Sequence, residues 1–236
     1  MLNSQSRWIR QEYKTNKDKF EKPFKISIEN PDGLKTQLVL EQNYQGLGCT
    51  VWDGSIALAK MFENDLELTM NLKRFNVLEL GAGCGLVGLT LFHLGAKFVL
   101  LSDMDICMAT LNKNVIKNTQ TSMSGSVQTM SYIWGDATTA LTKPKGKFDI
   151  IVAAEVLYEE TDSRLLAQSA VQLLAEGGVM FVSMGRNRNG ENAFVNVMKK
   201  NGYSTVEVPR EKLHPKYQDE IIKIIKVAKE SGQNPA

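Results

Sequence analysis

The sequence predicts an α/β fold with a mostly parallel sheet, an antiparallel last strand and an N-terminal β-hairpin extension. Three observations support this prediction. Short apolar runs alternate with segments whose apolar residues recur at helical spacing. The last two strand-like runs have no helical segment between them, so they are expected to pair antiparallel. Near the start, two alternating runs flank Asn30-Pro31-Asp32-Gly33, which is typical of a turn.

The composition of the 236-residue chain narrows the class of protein. Hydrophobic residues make up 43% and charged residues 23%, as in soluble globular proteins. A formal net charge of +2 is too balanced to predict a nucleic-acid or membrane partner. Three cysteines without a C-x-x-C pair, and only two histidines, predict neither a disulfide framework nor a metal site. We therefore expect a monomer in the cytoplasm, with the nucleus as a second location.

The chain divides into three predicted parts. Residues 1–45 form an N-terminal arm and a β-hairpin extension, with strands over 24–29 and 34–41. Residues 46–230 form the main domain, and residues 231–236 form a disordered tail. The polar start of the chain is either a solvated tail or an arm that folds over the functional site.

A glycine-rich loop and a helix open the main domain. The helix is predicted over residues 55–64, because the apolar residues there share one face, and Asp53 is a candidate N-cap. Trp52 stands just before this helix. It is either an anchor in the core or an aromatic side chain that packs against a ligand.

The stretch from Phe75 to Asp105 predicts a βαβ unit of the kind that binds a nucleotide-like cofactor. A buried strand ends at Leu80 and is followed by a glycine turn, a helix and a second strand. Glycines let the backbone approach a ligand closely. Asp103 ends the second strand, where a carboxylate can accept hydrogen bonds from ribose hydroxyls.

The spacing of the glycines indicates which cofactor is bound. The pattern is Glu79-x-Gly81-x-Gly83-x-Gly85, and Leu86 stands where a dinucleotide fingerprint has its third glycine. The strand, turn and helix contain no Lys or Arg that could neutralise a phosphate. A ribose without a phosphate fits better, which points to S-adenosylmethionine. The alternative is a tight turn inside an ordinary parallel sheet.

The following segments continue the alternation. A helix is predicted over 105–118, with Ile116 among its inward residues, and a strand over 127–133. Trp134 and Asp136 follow this strand, where they could contact an adenine ring or form an ordinary turn.

Glu155 ends the most apolar strand of the chain, predicted over 148–154 and therefore central in the sheet. Burying a carboxylate is energetically costly, so Glu155 is expected to have a functional role or an interaction partner. The remaining predicted elements are helices over 161–175 and 193–200, and strands over 179–184, 203–209 and 221–229.

Three segments, in chain order, resemble the motifs of one family. They are Val51-Trp52-Asp53-Gly54, the glycine-rich stretch from Val77 to Gly88, and Glu155-Val156-Leu157-Tyr158. These resemble methyltransferase family 16, which contains class I protein-lysine methyltransferases dependent on S-adenosylmethionine. The resemblance covers roughly residues 24–208. It implies a Rossmann-like, seven-strand methyltransferase sheet and a protein substrate as methyl acceptor.

The resemblance also implies roles for ten residues. Glu155 and Tyr158 would lie at the target lysine and act in catalysis, although the family acid is usually Asp. The residues implied in binding S-adenosylmethionine are Trp52, Glu79, Gly81, Ala82, Gly83, Asp103, Trp134 and Ala154.

Three other functions stay open from the sequence. A small-molecule N-methyltransferase of the same fold would need a lid, which the hairpin and the N-terminal arm could supply. A nucleic-acid methyltransferase acting on amino groups would carry Asn/Asp-Pro-Pro-aromatic after the fourth strand of the sheet, and Glu155 to Tyr158 lacks both prolines. A silent binding module is disfavoured by the intact glycines, Asp103 and Tyr158.

Overall fold

A computed structural model describes residues 21–43, 47–120, 125–136, 147–185 and 189–230. The predicted disordered tail and nearly all of the N-terminal arm lie outside the described residues. No helix in the described ranges is long and apolar enough to cross a membrane.

The N-terminal hairpin has the two strands that the sequence predicts, β1 (Phe24–Glu29) and β2 (Lys35–Leu40). They pair antiparallel with Phe24 opposite Leu40. The Asn30 side chain closes the turn, because its Oδ1 accepts hydrogen bonds from the backbone N–H groups of Leu34 at 2.8 Å and Asp32 at 3.1 Å.

The main sheet contains seven strands within the described ranges, as predicted. They are β3 (Asn76–Leu80), β4 (Phe98–Asp103), β5 (Ser126–Ser131), β6 (Phe148–Ala154), β7 (Leu174–Met184), β8 (Tyr203–Glu207) and β9 (Lys223–Lys229). Their order is β5-β4-β3-β6-β7-β9-β8. Strands β3 to β7 are parallel, and β9 lies antiparallel between β7 and β8. The chain order reverses between β3 and β6, so a ligand crevice is expected at their carboxyl ends.

Helices cover both faces of this sheet. They are α1 (Asp53–Asn64), α2 (Leu66–Asn71), α3 (Leu86–His93), α4 (Asp105–Asn118), α5 (Glu160–Leu173) and α6 (Glu191–Lys200). Successive strand residues point to opposite faces, so Val77 packs into one core and Leu78 into the other. The first core includes the hairpin, α1 and α3, and the second includes α5 and α6.

Two details of the predicted helices are wrong. Helix α1 starts at Asp53, which is therefore not its N-cap; Trp52 holds that position without a side-chain cap. The carboxylate of Glu155 accepts from Gly54 N–H instead, so a distant acid satisfies the helix start. In α4, Ile116 is 65% exposed. The buried positions of that helix include Asn114 and Asn118, whose amides bind Glu41, just after β2, and Val39 of β2.

Candidate functional site

A cavity of about 930 Å³ opens where the carboxyl ends of strands β3 to β7 meet. Its position at the reversal of strand order is where α/β sheets of this type bind ligands. All ten residues to which the family resemblance assigned roles line its wall: Trp52, Glu79, Gly81, Ala82, Gly83, Asp103, Trp134, Ala154, Glu155 and Tyr158.

The glycine loop between β3 and α3 forms the floor of the cavity. Gly81, Gly83 and Gly85 all have positive φ, at 73°, 56° and 83°. A side chain at Gly83 is excluded for a second reason, because its Cβ would lie 2.5 Å from the carbonyl oxygen of Gly48. The loop therefore combines left-handed backbone with a close approach to the segment before α1.

Glu79 lies buried beneath the glycine loop. Its Oε2 accepts a hydrogen bond from the backbone N–H of Gly88 at 2.8 Å, in the first turn of α3. Burial, with a smaller contribution from the nearby Asp103 carboxylate, raises the pKa of Glu79 to about 8. Because an acid of the chain already binds this helix start, its N–H groups are not arranged to receive a phosphate.

Asp103 ends β4 and connects that strand to the glycine loop. Its Oδ2 accepts from Gly83 N–H and its Oδ1 from Met104 N–H, both at 2.7 Å. Burial raises the pKa of Asp103, and these two N–H groups oppose that rise. A carboxylate has about four acceptor positions, so Asp103 retains capacity for ribose hydroxyls at the cavity wall.

Aromatic and aliphatic side chains supply the apolar wall. The ring of Trp134 lies against Gly81, where an added Cβ would be 3.0 Å from its Cζ2. Met104 and Ile133 are 49% and 64% exposed and also line the cavity. These two were not predicted from the sequence, although each follows closely on the carboxyl end of a strand.

Asp136, in contrast, is not among the described residues that line the cavity. A turn closed by a 3.1 Å hydrogen bond from Asp136 N–H to the Ile133 carbonyl redirects the chain there. Gly135 has a φ of 83° in this turn and donates its N–H to Ser169 Oγ on α5. The predicted contact of Asp136 with an adenine amine therefore finds no support in the geometry.

Glu155 follows β6 in an unusual backbone conformation. Its φ of 61° makes it the one non-glycine residue with positive φ in the described part of the chain. Such conformations are costly for L residues and recur at functional sites. Its Oε1 accepts from Gly54 N–H at 3.0 Å and its Oε2 from Gly185 N–H at 3.1 Å. The buried carboxylate therefore joins the start of α1 to the end of β7.

The close packing around Glu155 also explains the glycine at position 54. A Cβ on Gly54 would lie 2.3 Å from Glu155 Oε1, a distance that real Cβ atoms do not adopt. The Trp52-Asp53-Gly54 segment and the acid at the end of β6 are thus one structural unit, although 101 residues separate the hydrogen-bonded pair.

Tyr158 lies three residues further, with 37% of its surface exposed. It shares the cavity wall with Asp162 of α5 and with Asp219, Ile221 and Ile222 from the segment before β9. These four residues were not predicted as part of the site from the sequence. Their position on the cavity wall depends on long-range packing, so no local sequence pattern predicts it.

The charges on the wall test whether S-adenosylmethionine fits. Seven acidic side chains line the cavity, and no Lys or Arg does so among the described residues: the acids are Asp53, Glu79, Asp103, Glu155, Glu159, Asp162 and Asp219. A cationic sulfonium and ammonium group suit this wall, whereas a pyrophosphate does not. The residues present therefore fit the cofactor that the glycine spacing indicated.

The seven-strand sheet and the cavity at its switch point define a Rossmann-like methyltransferase fold. Solved structures support this assignment. The Thermus thermophilus 16S rRNA N2 G1207 methyltransferase, in complex with AdoMet and guanosine, has a TM-score of 0.60 at 19% identity and covers 88% of this chain and 51% of its own. A methyltransferase from Pyrococcus furiosus has a TM-score of 0.57 at 19% identity, covering 81% and 89%. At this identity the likeness concerns the fold.

The chain belongs to methyltransferase family 16, described as lysine methyltransferase, which matches residues 33–201. The family predicted from the three sequence segments is therefore confirmed, and with it S-adenosylmethionine as the cofactor.

Curated relatives agree with this family. Protein N-lysine methyltransferase METTL21A of Xenopus tropicalis is 28% identical over 162 residues, 68% of this chain and 72% of the relative. The METTL21A protein of Danio rerio is 32% identical over 146 residues, 61% and 64% of the two chains. Protein-lysine methyltransferase METTL21E of Mus musculus is 29% identical over 153 residues, 64% and 62%.

Proposed function

We propose that this protein transfers the methyl group of S-adenosylmethionine to a lysine side chain of a protein substrate. The observation that carries the proposal is the convergence of the family's three sequence segments on one acidic cavity. Trp52, the glycine loop and Asp103 lie on the same wall as Glu155 and Tyr158. The site thus combines a cofactor floor with an opening that a side chain can enter.

The cofactor supplies an electrophilic methyl group on a sulfonium centre, and the protein supplies position and electrostatics. A lysine amine must be neutral to attack, yet its unperturbed pKa is about 10.4. Apolar side chains of the cavity wall, including Val156, Tyr158 and Ile222, lower the lysine pKa by removing water from the amine.

Glu155 acts in this proposal as an acceptor that orients the amine. Its two oxygens accept backbone N–H groups from Gly54 and Gly185, which fix the carboxylate in one orientation at the cavity wall. Orientation of the amine toward the methyl group is therefore its expected contribution, with the Tyr158 ring forming the channel wall.

The proposal is tested by incubating the protein with a cell lysate and S-adenosylmethionine labelled in its methyl group. We expect the label in a protein band, and mass spectrometry of that band should find a methylated lysine. Label confined to the small-molecule fraction would instead establish the alternative, a small-molecule N-methyltransferase. Label in RNA would contradict both.

Tyr158 offers a matched pair of variants for the acceptor channel. Tyr158→Ala removes the ring and should abolish most transfer, whereas Tyr158→Phe keeps the ring and should keep most of it. Both should bind S-adenosylhomocysteine within about twofold of wild type, because the proposal places the Tyr158 ring at the acceptor channel and not against the cofactor. A strong loss of cofactor binding in Tyr158→Ala would contradict a role confined to the channel.

We also propose that the protein works in the cytoplasm. Cys49, Cys84 and Cys107 are free thiols, which suits a reducing compartment. Fractionation of cells with an antibody to the protein tests this location.

A further inference from the structure

Helix α4 carries two buried asparagines one turn apart, Asn114 and Asn118, that the transfer step does not use. A buried primary amide is costly unless its donors and its acceptor are hydrogen-bonded. Both amides are bonded, and both face the hairpin. They differ in one hydrogen-bond partner, and this difference separates a purely structural asparagine from one that also supports the cofactor site.

The shared role of the two amides is to bind the outer edge of β2 and the residue after it. Asn118 accepts from Val39 N–H at 2.8 Å and donates to the Val39 carbonyl at 3.0 Å. Asn114 makes the same pair of bonds with Glu41, also at 2.8 and 3.0 Å. Residues four apart on a helix are about 6 Å apart along its axis, and alternate strand residues are about 6.8 Å apart. The spacing of the two amides therefore matches the spacing of Val39 and Glu41. The amides form the hydrogen bonds that a neighbouring strand would otherwise form with these two residues.

The difference lies in a third hydrogen bond. Asn114 Nδ2 also donates to the carbonyl oxygen of Cys84 at 3.0 Å, inside the glycine loop. Asn118 Nδ2 donates instead to the carbonyl of Asn114, within its own helix. Of the two amides, Asn114 alone connects the hairpin to the floor of the cofactor cavity.

The Cys84 carbonyl belongs to the peptide unit whose other end, Gly85 N–H, donates to the Ala82 carbonyl at 2.7 Å. Its neighbours Gly83 and Gly85 both have positive φ, so the backbone there is intrinsically free to change conformation. Gly83 N–H is held by Asp103 on one side of the Cys84 peptide unit. The bond from Asn114 holds the Cys84 carbonyl on the other side, and Cys84 lines the cavity.

We propose that Asn114 is a positioning residue for the cofactor loop, and that the N-terminal hairpin supports the cofactor site through it. Asn114 orients the Cys84 peptide, and Glu41 orients Asn114. The inference rests on S-adenosylmethionine as the cofactor and is independent of the identity of the methyl acceptor. Its test therefore uses S-adenosylhomocysteine binding, which needs no substrate.

The decisive comparison is Asn114→Ala against Asn118→Ala. Each variant deletes one pair of hydrogen bonds to the hairpin, so both should lower the midpoint of thermal unfolding by similar amounts. Asn114→Ala should raise the Kd for S-adenosylhomocysteine about tenfold, the equivalent of one buried hydrogen bond of about 1.4 kcal/mol. Asn118→Ala should stay within about twofold of wild type. In turnover, Asn114→Ala should raise the KM for S-adenosylmethionine and leave kcat nearly unchanged.

A second measurement uses the wild-type protein and does not depend on the variants folding. Backbone amide hydrogen exchange is followed with and without S-adenosylhomocysteine. Bound ligand should slow exchange of the Glu41 N–H, which Asn114 holds, more than that of the Val39 N–H, which Asn118 holds. Equal protection of the two amides would overturn the proposal. So would a wild-type Kd in a destabilised Asn114→Ala variant.

Discussion

Substitution of Glu155 by Gln gives the most direct test of the site, because it changes charge and one acceptor at nearly constant volume. The carboxylate accepts from Gly54 N–H at 3.0 Å and Gly185 N–H at 3.1 Å. A glutamine can accept with its oxygen only, so its NH₂ group would face one of these donors. One charge-assisted hydrogen bond is lost, which costs about 1.5–3 kcal/mol, and a buried N–H is left unpaired.

The expected loss of stability follows from these figures. A cost of about 2–3 kcal/mol corresponds to a fall in Tm of about 4–12 °C for a chain of this size. Thermal unfolding followed by circular dichroism measures it. Glu176→Gln is the matched control, because Glu176 is exposed and its Tm should change by about 1 °C or less. The Tm of Glu155→Asp should lie between those of Glu155→Gln and Glu176→Gln, because the shorter side chain keeps its charge and can reach one of the two N–H groups.

The same variants separate the two roles of the acid. Methyl transfer per folded Glu155→Gln molecule should fall strongly, because the amide presents a donor where the lysine amine needs an acceptor. An unchanged Tm in Glu155→Gln would refute the inference that the Glu155 carboxylate stabilises the fold by joining α1 to β7. An unchanged transfer rate, measured well below the Tm of the variant, would refute the orienting role in catalysis.

Three further predictions concern the acids and glycines around the cavity. Asp103→Asn should raise the Kd for S-adenosylhomocysteine at least about tenfold by calorimetry, because it removes an acceptor beside Gly83. The native pKa of Glu79, about 8, exceeds its usual 4.5, so the folded state binds more protons between these values. Stability should therefore fall as pH rises from about 4.5 to about 8, and chemical unfolding of Glu79→Gln should show a flatter dependence. Gly54→Ala should lower the Tm because its Cβ meets Glu155, although Ala ordinarily stabilises a helix.

The cofactor half of the site could be predicted from the sequence because its signals are local. The glycine spacing, Asp103 after an apolar strand and Trp134 after another each follow from a few neighbouring residues. Parallel strands bring their carboxyl ends to one edge, so separate local signals meet in space. Trp52 follows no strand, and its place on the same wall as Tyr158 was predicted from the family resemblance.

The remaining features could not be predicted because they depend on long-range pairing of polar groups. Asn114 and Asn118 are polar residues on a helix and suggest a solvated face, yet they are buried against β2, and Ile116 is exposed. Asp219 reaches the cavity from the segment before the last strand, where no local pattern points to a ligand. Asp136 is adjacent to a predicted contact and is turned away by one hydrogen-bonded turn.

The acids of the site share a physical task that explains the choice of cofactor. The starts of helices α1, α3 and α4 lie at the cavity, and a helix start carries partial positive charge that favours phosphate. Here the chain's own carboxylates meet each one. Glu155 accepts from Gly54 N–H, Glu79 from Gly88 N–H and Asp103 from Met104 N–H.

These three interactions reverse the usual electrostatics of a nucleotide-binding α/β crevice. The N–H groups at these helix starts are bound within the protein, by the carboxylates of Glu155 and Asp103 and by the largely protonated Glu79, and the charged side chains on the described wall are acidic. A phosphate-bearing dinucleotide would lose these N–H partners and meet the carboxylates of Asp103 and Glu155. A cofactor with a ribose and a sulfonium cation keeps its acceptor at Asp103 and gains from the same charges. The preference for S-adenosylmethionine therefore follows from the position of the acidic side chains at the helix starts. The glycine spacing is the one part of this arrangement that can be recognised in the sequence.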